Sequence, residues 1–166
     1  MITDHLRVQF FRSSPRSLPT PYPNRARKGM AKCNKQYCTA CPYITIGNKV
    51  KINQTKYWNI TRRVSCDTFN CIYLIECKID TCKQRYIGQT GRLLKYRLAE
   101  HRGYVSNKVD TKATGAHFNL PGHSLADLRI TIIEQMKNSD LEYRKEREKY
   151  FIRFFNTYNN GLNREK

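Results

Sequence analysis

From residue 68 on, three stretches of this chain have the pattern of strands, and two have that of helices. Cys71-Ile72-Tyr73-Leu74-Ile75-Glu76-Cys77 is a β-forming run, and Arg85-Tyr86-Ile87-Gly88-Gln89-Thr90 is a second one, joined to it by a tight, cysteine-bearing connection. Each run carries a tyrosine. In Leu128–Glu134, Leu128, Ile130 and Ile132 alternate with polar positions, which predicts a third strand. Leu93, Leu94, Arg97, Leu98 and His101 recur at helical spacing in the stretch 93–102, bringing Arg97 and His101 near one another. A last helix opens at Ser139, where Ser139-Asp140-Leu141-Glu142 has the spacing of a capping box, and runs through Phe154.

The chain before these elements has a different texture. Residues 1–32 hold Arg7, Arg12, Arg16, Arg25, Arg27, Lys28 and Lys32 against the single acid Asp4, with Pro15, Pro19, Pro21 and Pro23. Proline fixes φ and removes backbone donors, so this stretch reads as an extended basic arm or linker. Residues 33–67 form a cysteine-rich segment, with a hairpin expected from Tyr43–Ile46 and Lys49–Ile52 around Gly47-Asn48. Residues 68–166 form the compact domain, of α+β class.

Charge narrows the list of partners. With 31 Lys and Arg against 13 Asp and Glu, the net charge is +18. Such a surface repels itself unless a polyanion shares it, so nucleic acid is the leading partner. No stretch approaches the roughly 20 apolar residues needed to cross a bilayer. Arg7, Gln9 and Arg12 interrupt Leu6, Val8, Phe10 and Phe11, so the start lacks a signal-peptide core. The expectation is an intracellular, reducing setting with no membrane partner, where seven cysteines read as metal ligands rather than disulfides.

The cysteines fall into two sets. Cys33-x4-Cys38-x2-Cys41, with Cys66 one small hairpin further on, offers four thiolates to a tetrahedral Zn²⁺. A segment with so few large apolar residues needs such a staple; the alternative is unrelated free thiols. Cys77-x4-Cys82 between the tyrosine strands, with His117-x5-His123 in a loop-like stretch 115–123, makes a second four-ligand set. Being closed, it is a structural site. Cys71 is left over as a small buried side chain.

Two tyrosines from adjacent strands and an arginine on the next helix can converge on one phosphate, which an arginine fork suits. From the helix alone, a solvated basic face explains Arg97 equally well. In the run Glu146-Arg147-Glu148-Lys149-Tyr150-Phe151-Ile152, a carboxylate can serve a hard cation or simply pair along an exposed face.

These residues resemble the GIY-YIG nuclease module, with CIY at 71–73 and YIG at 86–88. Tyr73, Tyr86, Arg97, Glu148 and Asn163 stand in the family's order from Asn70 to Asn163. Cys71 replaces the first glycine, a position where the Penelope-like group often has an apolar residue. Cysteines between the tyrosine motifs, the later histidine pair, the upstream cysteine knuckle and the run 86–92 resemble the endonuclease domain of Penelope-like retroelements. The resemblance implies a small three-stranded antiparallel sheet flanked by helices, behind an N-terminal zinc knuckle. It also implies a DNA endonuclease that nicks its target for element integration in the nucleus. Further partners would be a reverse transcriptase domain or the element's RNA. With these assignments 166 residues leave no room for the former, so the chain reads as a detached endonuclease portion.

The implied roles follow the positions. Glu148 holds a catalytic Mg²⁺ or Mn²⁺, Arg97 neutralises transition-state charge, and Tyr73 orients or deprotonates water. Tyr86 hydrogen-bonds the phosphate or the water, His101 shares proton transfer, and Asn163 fixes the pocket. The alternative is a catalytically inactive, zinc-containing nucleic-acid-binding module from a decayed element.

Overall fold

A computed structural model describes residues 27–137 and 140–164. In chain order its elements are strands β1 (Gly29–Ala31), β2 (Lys49–Lys51), β3 (Tyr57–Asn59), β4 (Arg63–Ser65), β5 (Cys71–Cys77) and β6 (Arg85–Thr90), then helices α1 (Leu94–Ser106) and α2 (Ala113–Phe118), strand β7 (Leu128–Gln135) and helix α3 (Leu141–Phe154). The architecture is α+β. Its central sheet has the order β6-β5-β7 with both pairings antiparallel.

The middle position of β5 follows from its composition. Cys71 through Ile75 are all fully buried, since a strand with a neighbour on each side and cover on both faces has no polar side to show. The β5–β7 register shifts between Ile72 and Tyr73, a bulge-type irregularity at the tyrosine itself. On α1, Leu94, Leu98, His101 and Val105 form the buried stripe, at spacings of three and four residues. No side chain caps this helix at its start. Instead the N–H groups of Leu94 and Lys95 donate to the carbonyls of Thr68 (2.8 Å) and Cys66 (2.9 Å).

Helix α3 packs on β5 and β6. Its cap is Asp140, whose carboxylate accepts from the N–H of Glu142 (2.8 Å) and Tyr143 (3.3 Å). Ser139, where the capping box was expected to open, lies outside the described residues, and the helix starts one residue after Asp140.

The N-terminal part differs more from the sequence reading. Up to residue 26 the basic arm lies outside the described residues, but Gly29–Ala31 within the expected linker pairs in parallel with β4, burying Met30 beside Val64. The hairpin around Gly47-Asn48 does not form. Lys49–Lys51 pairs instead with Tyr57–Asn59, and Ile44 bridges to Ile130 of the main sheet. The reason is tertiary: the Thr45 N–H donates to the Ile130 carbonyl (3.1 Å), and the Gly47 backbone exchanges hydrogen bonds with Met30.

Both outer strands are engaged along their free sides. On β7, besides Thr45, the Trp58 indole N–H donates to the Ile133 carbonyl (2.8 Å). On β6, Asn163 grips Ile87 from both ends of its amide, accepting from the N–H and donating to the C=O, each at 2.8 Å. The Leu162 N–H bonds the Arg85 carbonyl beside it (2.8 Å).

Candidate active site and metal centres

Strand register brings the two tyrosines together. Tyr73 faces Gly88 and Tyr86 faces Ile75, so both rings rise from the same side of the sheet, on diagonal positions. The Tyr73 ring lies over Gly88: a Cβ there would stand 2.6 Å from Tyr73 Cζ and 2.8 Å from Tyr86 Cε1. Space, not backbone freedom, requires this glycine. Gly88→Ala is expected to displace both rings and cost about 1–3 kcal/mol. A thermal melt and the lost Tyr73–Arg97 contact in a structure of the variant check it.

A hydrogen-bonded chain runs through the buried side. Arg97 Nε donates to the Tyr73 hydroxyl oxygen (2.9 Å), and that hydroxyl lies 2.8 Å from His101 Nε2. His101 Nδ1 lies 2.9 Å from Thr114 Oγ1 on α2. Burial, then the nearby Arg97 charge, push His101 down to about 3, so the ring is neutral. With Arg97 donating into the phenol oxygen, the Tyr73 O–H points at Nε2, and Nδ1 carries the ring proton toward Thr114. Burial raises Tyr73 well above the ordinary phenol, Tyr86 adds to this, and Arg97 opposes it.

The sign for stability follows. His101 has a folded-state value depressed from 6.5 to about 3, so its contribution is present above pH 6.5 and is lost as pH falls toward 3. It is on the order of 4 kcal/mol. His101→Gln is therefore expected to show a flatter stability curve than wild type between pH 7 and 3, read by urea unfolding at each pH.

Arg97 is held from two sides. Besides Tyr73, its Nη1 donates to Glu100 Oε2 (2.6 Å), and Glu100 also pairs with Arg92. This aims the guanidinium rather than leaving it on a solvated face. Across β6, Tyr86, Gln89, Glu148 and Asn163 line a cleft of about 510 Å³ that is rimmed by Lys112, Lys145, Lys149 and Arg164. Among the described residues Glu148 is the one carboxylate that lines it. Burial raises Glu148 to about 7, opposed by the Arg97 charge, the Gln89 backbone N–H and the Arg144 charge. Burial also raises Tyr86, with the Glu148 carboxylate next, while Arg97 again opposes. Arg144, one turn before Glu148, braces this wall: it donates to Gln89 Oε1 (2.6 Å) and Asn70 Oδ1 (2.7 Å). Asn163 meets the Ile87 backbone, so it anchors the segment that closes the cleft.

The thiol clusters form as two compact groups. Within each, one donor atom per residue lies inside 4.8 Å of all the others: Cys33, Cys38, Cys41 and Cys66 in one, Cys77, Cys82, His117 and His123 in the other. Sulfur separations in the first are 3.6 Å (Cys33–Cys41), 3.5 Å (Cys38–Cys66) and 3.7 Å (Cys41–Cys66). A ZnS₄ tetrahedron with bonds of about 2.3 Å has edges near 3.8 Å, whereas a disulfide would need about 2.05 Å. The donors fit zinc. Burial drives Cys66 upward and its three neighbours push further, while the Ala40 N–H helps bring Cys38 down to about 7 against its own burial. Four thiolates in this space need a cation.

In the second group, Cys82 Sγ stands 3.5 Å from His117 Nε2, and the two imidazoles are 4.6 Å apart. His117 is not in a loop, as its surroundings suggested, but in the six-residue helix α2. One and the same helix thus carries a metal-ligand candidate and, in Thr114, the partner of His101.

Residues 69–163 match the family model of the GIY-YIG catalytic domain. The chain belongs to the GIY-YIG family. No curated protein and no solved structure matches it. The GIY-YIG span takes in Tyr73, Tyr86, Arg97, His101, Glu148, Asn163 and the Cys77–His123 cluster, while Cys33, Cys38, Cys41 and Cys66 precede it. GIY-YIG nucleases are metal-dependent, and Glu148 is the one carboxylate among the described residues of the cleft that would hold a hard divalent cation, an ion that needs only one or two protein carboxylates.

Sequence reading missed Thr114, Gln89, Glu100 and Arg144. Glu100 had a signal, since it lies three residues after Arg97 on one helix. The others act across elements far apart in sequence and leave no spacing to read.

Proposed function

We propose that this GIY-YIG protein is a metal-dependent DNA endonuclease of Penelope-like retroelement type, hydrolysing phosphodiester bonds to nick target DNA for integration in the nucleus. The observation that carries the nuclease reading is the meeting of Tyr73, Tyr86, Arg97 and His101 beside a lysine-rimmed cleft into which α3 brings the carboxylate of Glu148. The retroelement setting rests on sequence resemblance, with a reverse transcriptase or element RNA as further partners.

Bound at Glu148, Mg²⁺ or Mn²⁺ supplies polarisation of the scissile phosphate and stabilisation of the leaving oxygen. The chain's own residues do the rest. Lys112, Lys145, Lys149 and Arg164 draw the DNA backbone into the cleft. Arg97, already fixed by Glu100 and Tyr73, keeps its remaining donors for the non-bridging oxygens, where negative charge grows. Tyr86 hydrogen-bonds the phosphate from the cleft wall. Tyr73 takes a proton from the attacking water as its own passes to His101 Nε2. The Arg97 charge is one of the two causes that hold His101 low, and a phosphate seated on Arg97 offsets it. The pair is thereby made more basic when substrate is present.

The experiment is conversion of supercoiled plasmid to open circles by the zinc-loaded chain with Mg²⁺ or Mn²⁺, beside a gel-shift assay. Nicking that needs the divalent ion supports the proposal. Binding with no nicking at any divalent concentration would assign the protein to the inactive, nucleic-acid-binding class instead.

A further inference from the structure

The largest cleft among those described lies away from the tyrosines. It measures about 670 Å³ and shares no lining residue with the cleft around Glu148. One wall is the end of β2 and the turn after it, with Lys51, Asn53 and Gln54; the other is the β5–β6 connection, with Lys78 and Lys83; the floor is the chain leaving α3. The two clefts lie against different stretches of the same elements: Glu76, Gln84 and Arg85 with Phe154 and the chain after it line this one, and Tyr86 and Gln89 with Lys145, Glu148 and Lys149 line the other.

Three observations describe what the cleft suits. The first is charge. Lys51 and Lys83 are exposed and have no carboxylate partner among the described residues, and Lys78 reaches Asp127 only at 3.9 Å. Of the acids lining the cleft, Glu76 is already paired with Arg85 at 2.9 Å, leaving Asp80. The second is a flat apolar platform at the mouth. Phe154 is 39% exposed, stacks in parallel on Tyr150 with centroids 5.6 Å apart, and is backed edge-on by Trp58, also at 5.6 Å. The third is Thr157 on the floor, 1% exposed, whose Oγ1 is buried with no hydrogen-bond partner among the described residues. Cations along two walls, an open ring at the mouth and an unsatisfied hydroxyl below match a chain of phosphates and splayed bases. Single-stranded nucleic acid is bound in this way, by a basic groove and aromatic stacking.

We propose that this cleft is a second nucleic-acid site that holds a single strand, with phosphates on Lys51 and Lys83 and a base stacked on Phe154. It goes beyond the nuclease reading and does not depend on it, since none of its residues belongs to the Tyr73–Glu148 site. A duplex, whose bases stack on one another, has no base to offer Phe154.

The test uses the full zinc-loaded chain and a fluorescein-labelled thymidine oligonucleotide, followed by anisotropy across a salt series and by emission of Trp58, the one tryptophan. Wild type is expected to bind with quenching of Trp58, which touches Phe154. Lys51→Glu with Lys83→Glu should weaken binding by about tenfold or more and flatten the log–log salt slope by about 1.4, at roughly 0.7 per phosphate contact. Phe154→Leu keeps an apolar side chain against Trp58 and should still lose about fivefold or more in affinity, the scale of one stacked base. The same double reversal at Lys108 and Lys137, away from the cleft, should have much less effect on affinity. The proposal is overturned if Trp58 emission ignores a saturating oligonucleotide, or if the Lys108 and Lys137 reversal costs as much as the Lys51 and Lys83 one. Equally tight binding of an oligo-glutamate peptide would also overturn it, by showing a generic acid-binding surface.

Discussion

Glu148→Gln is expected to remove about 10³-fold or more of the nicking rate while leaving duplex affinity close to wild type. Glutamine keeps the shape of the side chain and an oxygen to accept the Gln89 backbone N–H, so only the charge is lost. The same substitution should raise stability. Glu148 has its folded-state value lifted from 4.5 to about 7, chiefly by burial. A raised value means that the favourable contribution is present below pH 4.5 and is lost as pH rises through about 7. Above neutrality the wild type therefore holds a carboxylate the fold disfavours, and the variant does not. A gain on the order of 2 kcal/mol at pH 8, vanishing near pH 4, is the expected signature. Urea unfolding at the two pH values checks the stability, and plasmid nicking with a gel shift checks the function. A variant that still cuts, or that stops binding DNA as well, would remove Glu148 from the role of metal carboxylate.

Stripping metal from the Cys33–Cys66 cluster is the second large effect. Structural zinc contributes roughly 10–16 kcal/mol of apparent binding free energy at neutral pH, far more than the small apolar set Met30, Val50, Ile60 and Val64 can replace. Cys66→Ser, which leaves the Cys77–His123 group intact, is expected to lower the melting temperature by more than about 10 °C and to leave the chain with one zinc fewer than wild type. The damage should not stay local. The carbonyls of Cys66 and Thr68 receive the first N–H groups of α1, the helix that carries Arg97 and His101. Nicking should fall with the melt even though none of these cysteines lies in the cleft. Calorimetry with elemental analysis of the same samples decides it: an unchanged melt after verified metal loss would show that the four thiols do not staple the fold.

How much of this was legible in the sequence depended on where each interaction partner lay. Strands β5 and β6 were readable to the residue because their β-forming runs stop where the chain turns, and α1 because its apolar positions repeat at helical spacing. The cysteine and histidine sets were readable because ligand chemistry restricts residue type more than fold does. The hairpin at Gly47-Asn48 was misread because a good local turn signal lost to pairing of Ile44 and Thr45 with β7, some 85 residues away. Helix α2 was missed because six residues are too few to show a periodic pattern. Glu148 could be picked from Glu146 only through family order, since both carboxylates sit in one charged run and only the fold reveals which one lines the cleft.

The way the sheet's two outer strands are engaged bears on how copies of this protein can meet. With Ile130 and Ile133 taken on one side, and Arg85 and Ile87 on the other, neither rim offers a second molecule an open backbone ladder at those positions. Growth of a continuous sheet from copy to copy, the route by which small sheets most readily dimerise or form fibrils, is opposed at these positions on both rims. Two copies cutting opposite strands of one duplex would have to associate through side-chain surfaces or through the DNA itself. Their spacing along the duplex would then be set by the nucleic acid rather than by a shared sheet.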